Sequence, residues 1–310
     1  MNVPLGIFGT LWGLVRLKEP ISLPKGQSFD LLGALTFTLG LGALLMAASL
    51  VAFPLLDMMY IYALFIIGAI GVVAFFYIEF KVHSPMIDFS LFRDRDFALA
   101  NFTNLLSGLT RGAVLFLLIF FLQGPYGQDP LSAGISLIPY GLAFMIVGPV
   151  SGRLSDRHGT KVLSVLGLIF SALALLMMSA MNHATPYSVL AVYMILMGVG
   201  SGLFNSPNMR AVMNSVRPER RGIAGSTRTM LANVGVMFSF AIAFPIVLSG
   251  IPQEAMLRLF LYGGGIEAQA LETFENGLHL AFLIFFVVGL VAVIAALLLH
   301  SDSDGAQAAP

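Results

Sequence analysis

The chain has no cysteine in its 310 residues. That absence excludes disulfides, thiolate metal sites and cysteine nucleophiles together. Charge is scarce as well: Asp, Glu, Lys and Arg make up 10% of the chain, against about 25% in a soluble domain. Sixteen basic residues balance sixteen acidic ones, so no overall positive bias points to nucleic acid. No G-x-x-x-x-G-K-[ST] phosphate loop occurs, which argues against an ATP-driven pump. No His/Asp/Glu cluster has metal-ligand spacing, and no Ser-His-Asp set falls in one compartment. Neither an enzyme nor a cofactor or metal site is therefore expected. Carboxylates are also missing from the apolar runs: Asp57, Glu79, Asp88, Asp94, Asp96 and Asp129 all lie in loops or at run ends. Proton coupling ordinarily uses a carboxylate whose burial raises its pKa, and these runs offer none.

What is present is apolar. Hydrophobic residues form 58% of the chain, with 26 Phe and 16 Met, and the mean hydropathy is +0.91. About eight runs approach the ~20 apolar residues that cross a bilayer. They fall near Leu31–Phe53, Met58–Tyr77, Phe97–Leu122, Ser132–Val150, Val162–Met181, Tyr187–Met209, Ile223–Leu248 and Leu278–His300. Each is expected to be helical, because unpaired backbone amides are not tolerated in hydrocarbon and no barrel-type alternation is visible. The fold class is therefore an all-α membrane bundle of eight full spans plus a short amino-terminal helical stub. The stub, Val3–Val15, is too short to span unaided, and its Arg16 and Lys18 follow the apolar run where a signal peptide would have them precede it. It reads either as an interfacial helix or as the remnant, within residues 1–16, of a spanning helix that starts earlier.

Basic residues alternate between loops. Arg16, Lys18 and Lys25 precede the first span, Lys81, Arg93 and Arg95 the third, and Arg210, Arg217, Arg220 and Arg221 the seventh. The loops Pro54–Asp57, Gly124–Leu131 and Asn182–Pro186 have no Lys or Arg, and Gly250–Asn276 has only Arg258. The positive-inside rule then puts residues 152–161 and the carboxyl tail, 301–310, in the cytoplasm of a multi-pass plasma (inner) membrane protein.

Residues 152–161 read Gly-Arg-Leu-Ser-Asp-Arg-His-Gly-Thr-Lys, a charged turn between two spans. Its pattern, G-x-L-x-D-R-x-G-x-[RK], is met by Gly152, Leu154, Asp156, Arg157, Gly159 and Lys161, with Arg153 beside them. It resembles the signature cytoplasmic loop of the major facilitator superfamily of secondary transporters. Leu122-Gln123, Gly127, Leu131, Ala133-Gly134 and Pro139, and Arg220-Arg221-Gly222 with Gly225, resemble the fourteen-helix drug:proton antiporter branch. Asn2-Val3-Pro4-Leu5-Gly6 looks like the end of that branch's sixth helix.

The resemblance implies a partial major-facilitator bundle. Residues 31–77 would be the branch's two linker helices and 97–300 its carboxyl-terminal six-helix domain. The first five helices, most of the sixth and the usual proton-binding carboxylate would be absent. It implies a multidrug efflux antiporter of the cell membrane, with a small-molecule substrate and the lipid bilayer as partners. A separate amino-terminal half or a homodimer would complete it. A transport-dead relic and a non-transporting subunit assembling with a separate half remain as alternatives. In the family the charged turn latches the cytoplasmic side, and a bare topology signal is the other reading. Asp156 is expected just before a helix amino terminus, where free N–H groups stabilise an anion.

Polar residues inside the spans mark a candidate path. Asn101, Asn104, Gly108 and Arg111 share one face of the third span at helical spacing, with Gln123 close to the stripe. Arg111 lies midway along its helix, where a cation costs at least ~3 kcal/mol without a partner or water. It reads as an anion-holding or gating residue, or as a structural arginine capped by carbonyls. Ser201, Asn205 and Asn208 share a face of the sixth span, and Asn233 on the seventh is expected to meet the same cavity. The G-x-x-x-G pairs Gly108/Gly112, Gly148/Gly152 and Gly198/Gly202 are expected to be close-packing sites.

Overall fold

The computed structural model describes residues 2–16, 30–52, 57–82, 87–248 and 268–300, and all regular structure among them is helical. Lys18, Lys25, most of the loop 250–276 and the tail 301–310 lie outside the described residues. Eleven α-helices are described: α1 (Asn2–Arg16), α2 (Leu31–Ala52), α3 (Met58–Glu79), α4 (Arg95–Gly112), α5 (Val114–Gln123), α6 (Pro130–Ser136), α7 (Ile138–His158), α8 (Thr160–Met178), α9 (Tyr187–Asn214), α10 (Arg221–Leu248) and α11 (Ala268–Leu297). Eight segments are long and apolar enough to cross a membrane, two of them built from the consecutive pairs α4/α5 and α6/α7.

Four features of the spans differ from those expected. The third span is interrupted at Ala113, and the fourth at Leu137 ahead of Pro139. The fourth also runs to His158, so residues 152–158 are helix and the break falls on Gly159 alone. Gly159 has φ +80°, a conformation open to glycine and strained for other residues. The last span begins at Ala268, ten residues before Leu278, which puts Glu272 and Glu275 on its first turns. Helix starts follow ordinary capping. Asp94 accepts from the Phe97 N–H at 2.8 Å, and Asp129 accepts from Leu131 and Ser132 N–H ahead of Pro130. The Ser132 hydroxyl and these amides hold the Asp129 carboxyl below its ordinary value.

Within the body, α9 packs between α7 and α8, α4 packs between α10 and α11, and α11 also meets α8. An aromatic-rich core around Leu117, Phe121, Met178, Met194, Phe282 and Phe285 fills one end. A second core around Phe97, Leu168, Phe204, Val212 and Ala296 fills the end that carries residues 152–161. Helices α2 and α3 form a separate apolar pair around Ala47, Leu50 and Ile61, and α2 leans on α10.

Glycine sets the closest approaches, because a side chain there would collide with a neighbouring backbone. A Cβ on Gly108 would strike the Ala232 carbonyl, and one on Gly112 would lie 2.7 Å from the Val236 Cα. Gly198 and Gly202 pack likewise on α7, the former 3.2 Å from Phe144 N and the latter 3.1 Å from Gly148 N. The third expected pair does not behave this way: a Cβ on Gly148 would meet nothing within 4 Å, and one on Gly152 only Ser206 at 3.7 Å.

Candidate functional site: a polar junction inside the bundle

Where α4, α9 and α10 cross, asparagines converge on one cation. The Arg228 guanidinium donates from Nε to Asn208 Oδ1 at 3.0 Å, and from Nη2 to Asn205 Oδ1 at 2.6 Å and the Asn205 carbonyl at 3.1 Å. Asn208 Nδ2 donates in turn to the Ala100 carbonyl at 2.8 Å, and Asn104 Nδ2 to the Arg228 carbonyl at 2.7 Å. Each hydrogen bond to a charged group contributes roughly 1.5–3 kcal/mol, which offsets part of the cost of burial. Asn101 is fully buried, donates to the Phe97 carbonyl at 2.9 Å, and leaves Oδ1 without a hydrogen bond among the described residues.

The local reasons lie in helix periodicity. Asn101 and Asn104, and Asn205 and Asn208, are each three residues apart and so share a face of α4 and of α9. The contacts Asn104–Arg228, Gly108–Ala232 and Gly112–Val236 advance together along α4 and α10, so these helices run parallel. That register puts Arg111 near the level of Gly235, seven residues beyond Arg228, or about 10 Å along the axis. Arg111 is half-buried and acts electrostatically on Arg228. Among the described residues it has no hydrogen bond or ion pair.

Other expected path residues fall elsewhere. Gln123 ends α5, twelve residues past Arg111 and so about 18 Å along the span, outside the junction. Ser201 is buried on α9, one turn before Asn205, with no bond to the cluster. Asn233 is exposed, and five residues from Arg228 turn it about 140° away. It lines a groove of about 570 Å³ between α2 and α10, together with Phe37, Leu41, Met209, Thr229 and Met237. The expectation that Asn233 shares the cavity of the other polar residues is corrected accordingly.

The charged segment also differs from its expected form. Asp156 occupies the last turn of α7 and caps no helix; the residue ahead of α8 is Gly159. A carboxylate at a helix carboxyl end faces the negative end of the dipole. Asp156 is compensated instead by an ion pair with Arg210 near the end of α9. Arg153 and Arg157 are exposed and Lys161 half-buried. Arg228 and Arg210 were not among the expected site residues, Arg210 having counted only as one of the basic residues ahead of the seventh span. Arg228 lies seven residues past the basic run Arg217–Arg221, near the start of α10, where a lone arginine carries no spacing signal of its own. Its partners Asn205 and Asn208 are 20 and more positions away on another helix, so no local spacing signals them.

Eight apolar spanning helices, three of them packed around a buried cation that neutral side chains contact among the described residues, describe a multi-pass helical membrane protein. The chain belongs to the Major Facilitator Superfamily, whose family model matches residues 100–310. It is 28% identical over 247 residues to the riboflavin transporter RibZ of Clostridioides difficile, covering 79% of this chain and 52% of that one. It is 30% identical to multidrug resistance protein 3 of Bacillus subtilis, covering 78% and 47%, and 30% identical to multidrug resistance protein Stp of Mycobacterium tuberculosis, covering 78% and 45%. The chain thus spans about half the length of the curated relatives it matches. A crystal structure of the nucleoside transporter NupG aligns with a TM-score of 0.52 at 15% identity, covering 87% of this chain and 83% of that one, which speaks to the fold alone.

Proposed function

We propose that the chain forms the carboxyl-terminal portion of a secondary active transporter, a drug or small-molecule efflux permease of the fourteen-helix, proton-coupled branch. The observation that carries the reading is the polar junction of Arg228, Asn205, Asn208 and Asn104 inside the very region that matches the family. Two relatives named as multidrug resistance proteins support the efflux assignment. In this reading α2 and α3 are the two linker helices, residues 97–300 the six-helix domain, and α1 the end of a preceding span. Alternation of basic loops favours a plasma-membrane orientation with residues 152–161 and the tail 301–310 in the cytoplasm.

The Asp156–Arg210 pair supports a latch role for the signature segment, because it ties the ends of α7 and α9 through a contact that either helix can release by moving. Alternating access rocks one six-helix domain against another around a site between them. Residues 97–300 would supply one such domain, and the opposing wall would come from an amino-terminal domain or a second copy. The test is extrusion of a fluorescent dye by cells lacking other pumps. The 310 residues alone are expected to insert without extruding dye; co-expression with a matching amino-terminal domain is expected to restore efflux, and Asp156→Asn to reduce it. Robust efflux by the chain alone would overturn the two-domain requirement. No efflux from either arrangement, with both halves in the membrane, would overturn the transport reading.

A further inference from the structure

We propose that the solute recognised at this junction is a small organic anion, held by Arg111 with Arg228 as a fixed second cation. The proposal rests on the reading of α4, α9 and α10 as one wall of a solute path. Arg228 is 9% exposed and anchored by two asparagines, which are neutral and leave its charge uncompensated. Arg111 stands about 10 Å further along the same parallel helix pair, half-buried, with its guanidinium free of partners among the described residues. The two guanidiniums repel each other.

Carboxylates that could balance them are remote. Among the described residues, Asp30, Asp57, Glu79, Asp88, Asp94, Asp96, Asp129, Asp156, Glu219, Glu272 and Glu275 all lie in connections or within about two turns of a helix end. The described ion pairs of Asp88, Asp96, Asp156 and Glu275 are with Arg220, His300, Arg210 and His183. Two like charges in a membrane bundle, with no counter-charge beside them among the described residues, favour a ligand that brings a negative one. A planar guanidinium with unused donors suits a carboxylate, which it grips through two parallel hydrogen bonds. A lipophilic cation would meet repulsion from both arginines.

A phosphate of an anionic lipid would present similar chemistry; we commit to a soluble solute, since both arginines lie on helices packed within the bundle. The experiment uses the purified 310-residue chain and three dyes that share one fluorophore: dansylglycine (anionic), its methyl ester (neutral) and dansylcadaverine (cationic). Binding is read by fluorescence anisotropy in nanodiscs of phosphatidylcholine. Dansylglycine is expected to bind at least tenfold more tightly than the other two. Arg111→Gln is expected to remove that preference while leaving the weak binding of the ester unchanged. Arg111→Lys, which keeps the charge without the fork, is expected to retain only part of it.

Equal affinity for acid and ester, no binding of any dye, or full dansylglycine affinity in Arg111→Gln would each overturn the proposal. Loss of dansylglycine binding in nanodiscs containing phosphatidylglycerol would identify a lipid phosphate as the occupant and overturn the solute assignment. None of these readings requires transport, so failure of the anion site and failure of the transporter reading are separable. Dye efflux without anion preference would sink the first alone.

Discussion

Helices α2 and α3 and helices α4 and α10 are two pairs closed by the same device and filled with different chemistry. In the first pair Gly40 faces Gly71, so that a Cβ on Gly40 would lie 2.7 Å from Val72 N. In the second, Gly235 faces Leu105, Gly108 and Leu109, with Leu109 N 2.8 Å from where its Cβ would be. Both gain dispersion contacts that small residues permit, since lipid is as apolar as the side chains and gives no hydrophobic drive to associate. The α2/α3 contact centres on the apolar Ala47, Leu50 and Ile61, and Thr36 bonds back to its own helix at Leu32 and Gly33. The α4/α10 contact holds Asn104 against the Arg228 backbone and leads into the Asn205–Asn208–Arg228 cluster. Glycine contact therefore marks where helices meet, and the α4/α10 meeting adds buried asparagines and a buried cation to it.

The largest effect that separates the two pairs is expected from valine at each glycine. Gly235→Val and Gly40→Val both push a side chain into backbone that cannot yield, at roughly 3 kcal/mol or more, the upper end of overpacking costs. Since the chain has no native cysteine, a single cysteine at the fully buried Ala100 reports on the junction. Gly235→Val is expected to expose it to a maleimide and to lower the apparent melting temperature in detergent. Gly40→Val is expected to lower the melting temperature with that cysteine still protected. Equal exposure in both variants would mean that the hairpin and the body are one unit.

A smaller effect comes from the polar contacts themselves. Asn208→Leu removes the acceptor for Arg228 Nε and the donor to the Ala100 carbonyl, at roughly 1.5–3 kcal/mol for a bond to a charged group. Thr36→Val removes a bond that its own helix barely needs and is expected to stay within about 0.5 kcal/mol of the parent. Similar melting temperatures for the two variants would show that water or a shifted side chain readily replaces Asn208.

These contrasts also explain what could be read from the chain. Spans were legible because hydrocarbon demands long apolar helices, and eight appear where hydropathy placed them. Asn104 and Asn208 were legible as polar groups at helical spacing. That Arg228 binds Asn205 and Asn208 was not, because the partners lie on separate helices. Asn233 was misplaced because residue type says nothing of rotation about the axis: it is as polar as Asn208 yet turned toward α2. The charged segment was mistaken for a turn because glycine and charge suggest a break. Gly152 stays helical with room around it, and only Gly159 takes a positive φ.

The smallest expected effect concerns how each pair begins, with an aspartate three residues ahead of the amide it caps. Asp94 Oδ1 accepts from Phe97 N at 2.8 Å, and Asp30 Oδ1 from Gly33 N at 2.8 Å. The settings differ. Asp94 is exposed, whereas Asp30 is 7% exposed and its Oδ2 has no hydrogen bond among the described residues. A buried unsatisfied oxygen costs free energy that a smaller cap avoids. Serine caps a helix about as well as aspartate, so Asp30→Ser keeps the capping geometry and deletes the orphaned atom. It is expected to leave the apparent melting temperature unchanged or slightly raised. Asp94→Ala removes a cap with no compensating relief and is expected to cost about 1 kcal/mol, read as a fall in that temperature. A clear fall for Asp30→Ser would mean that Oδ2 has a partner worth keeping, and the start of α2 would then be as firmly tied as the start of α4.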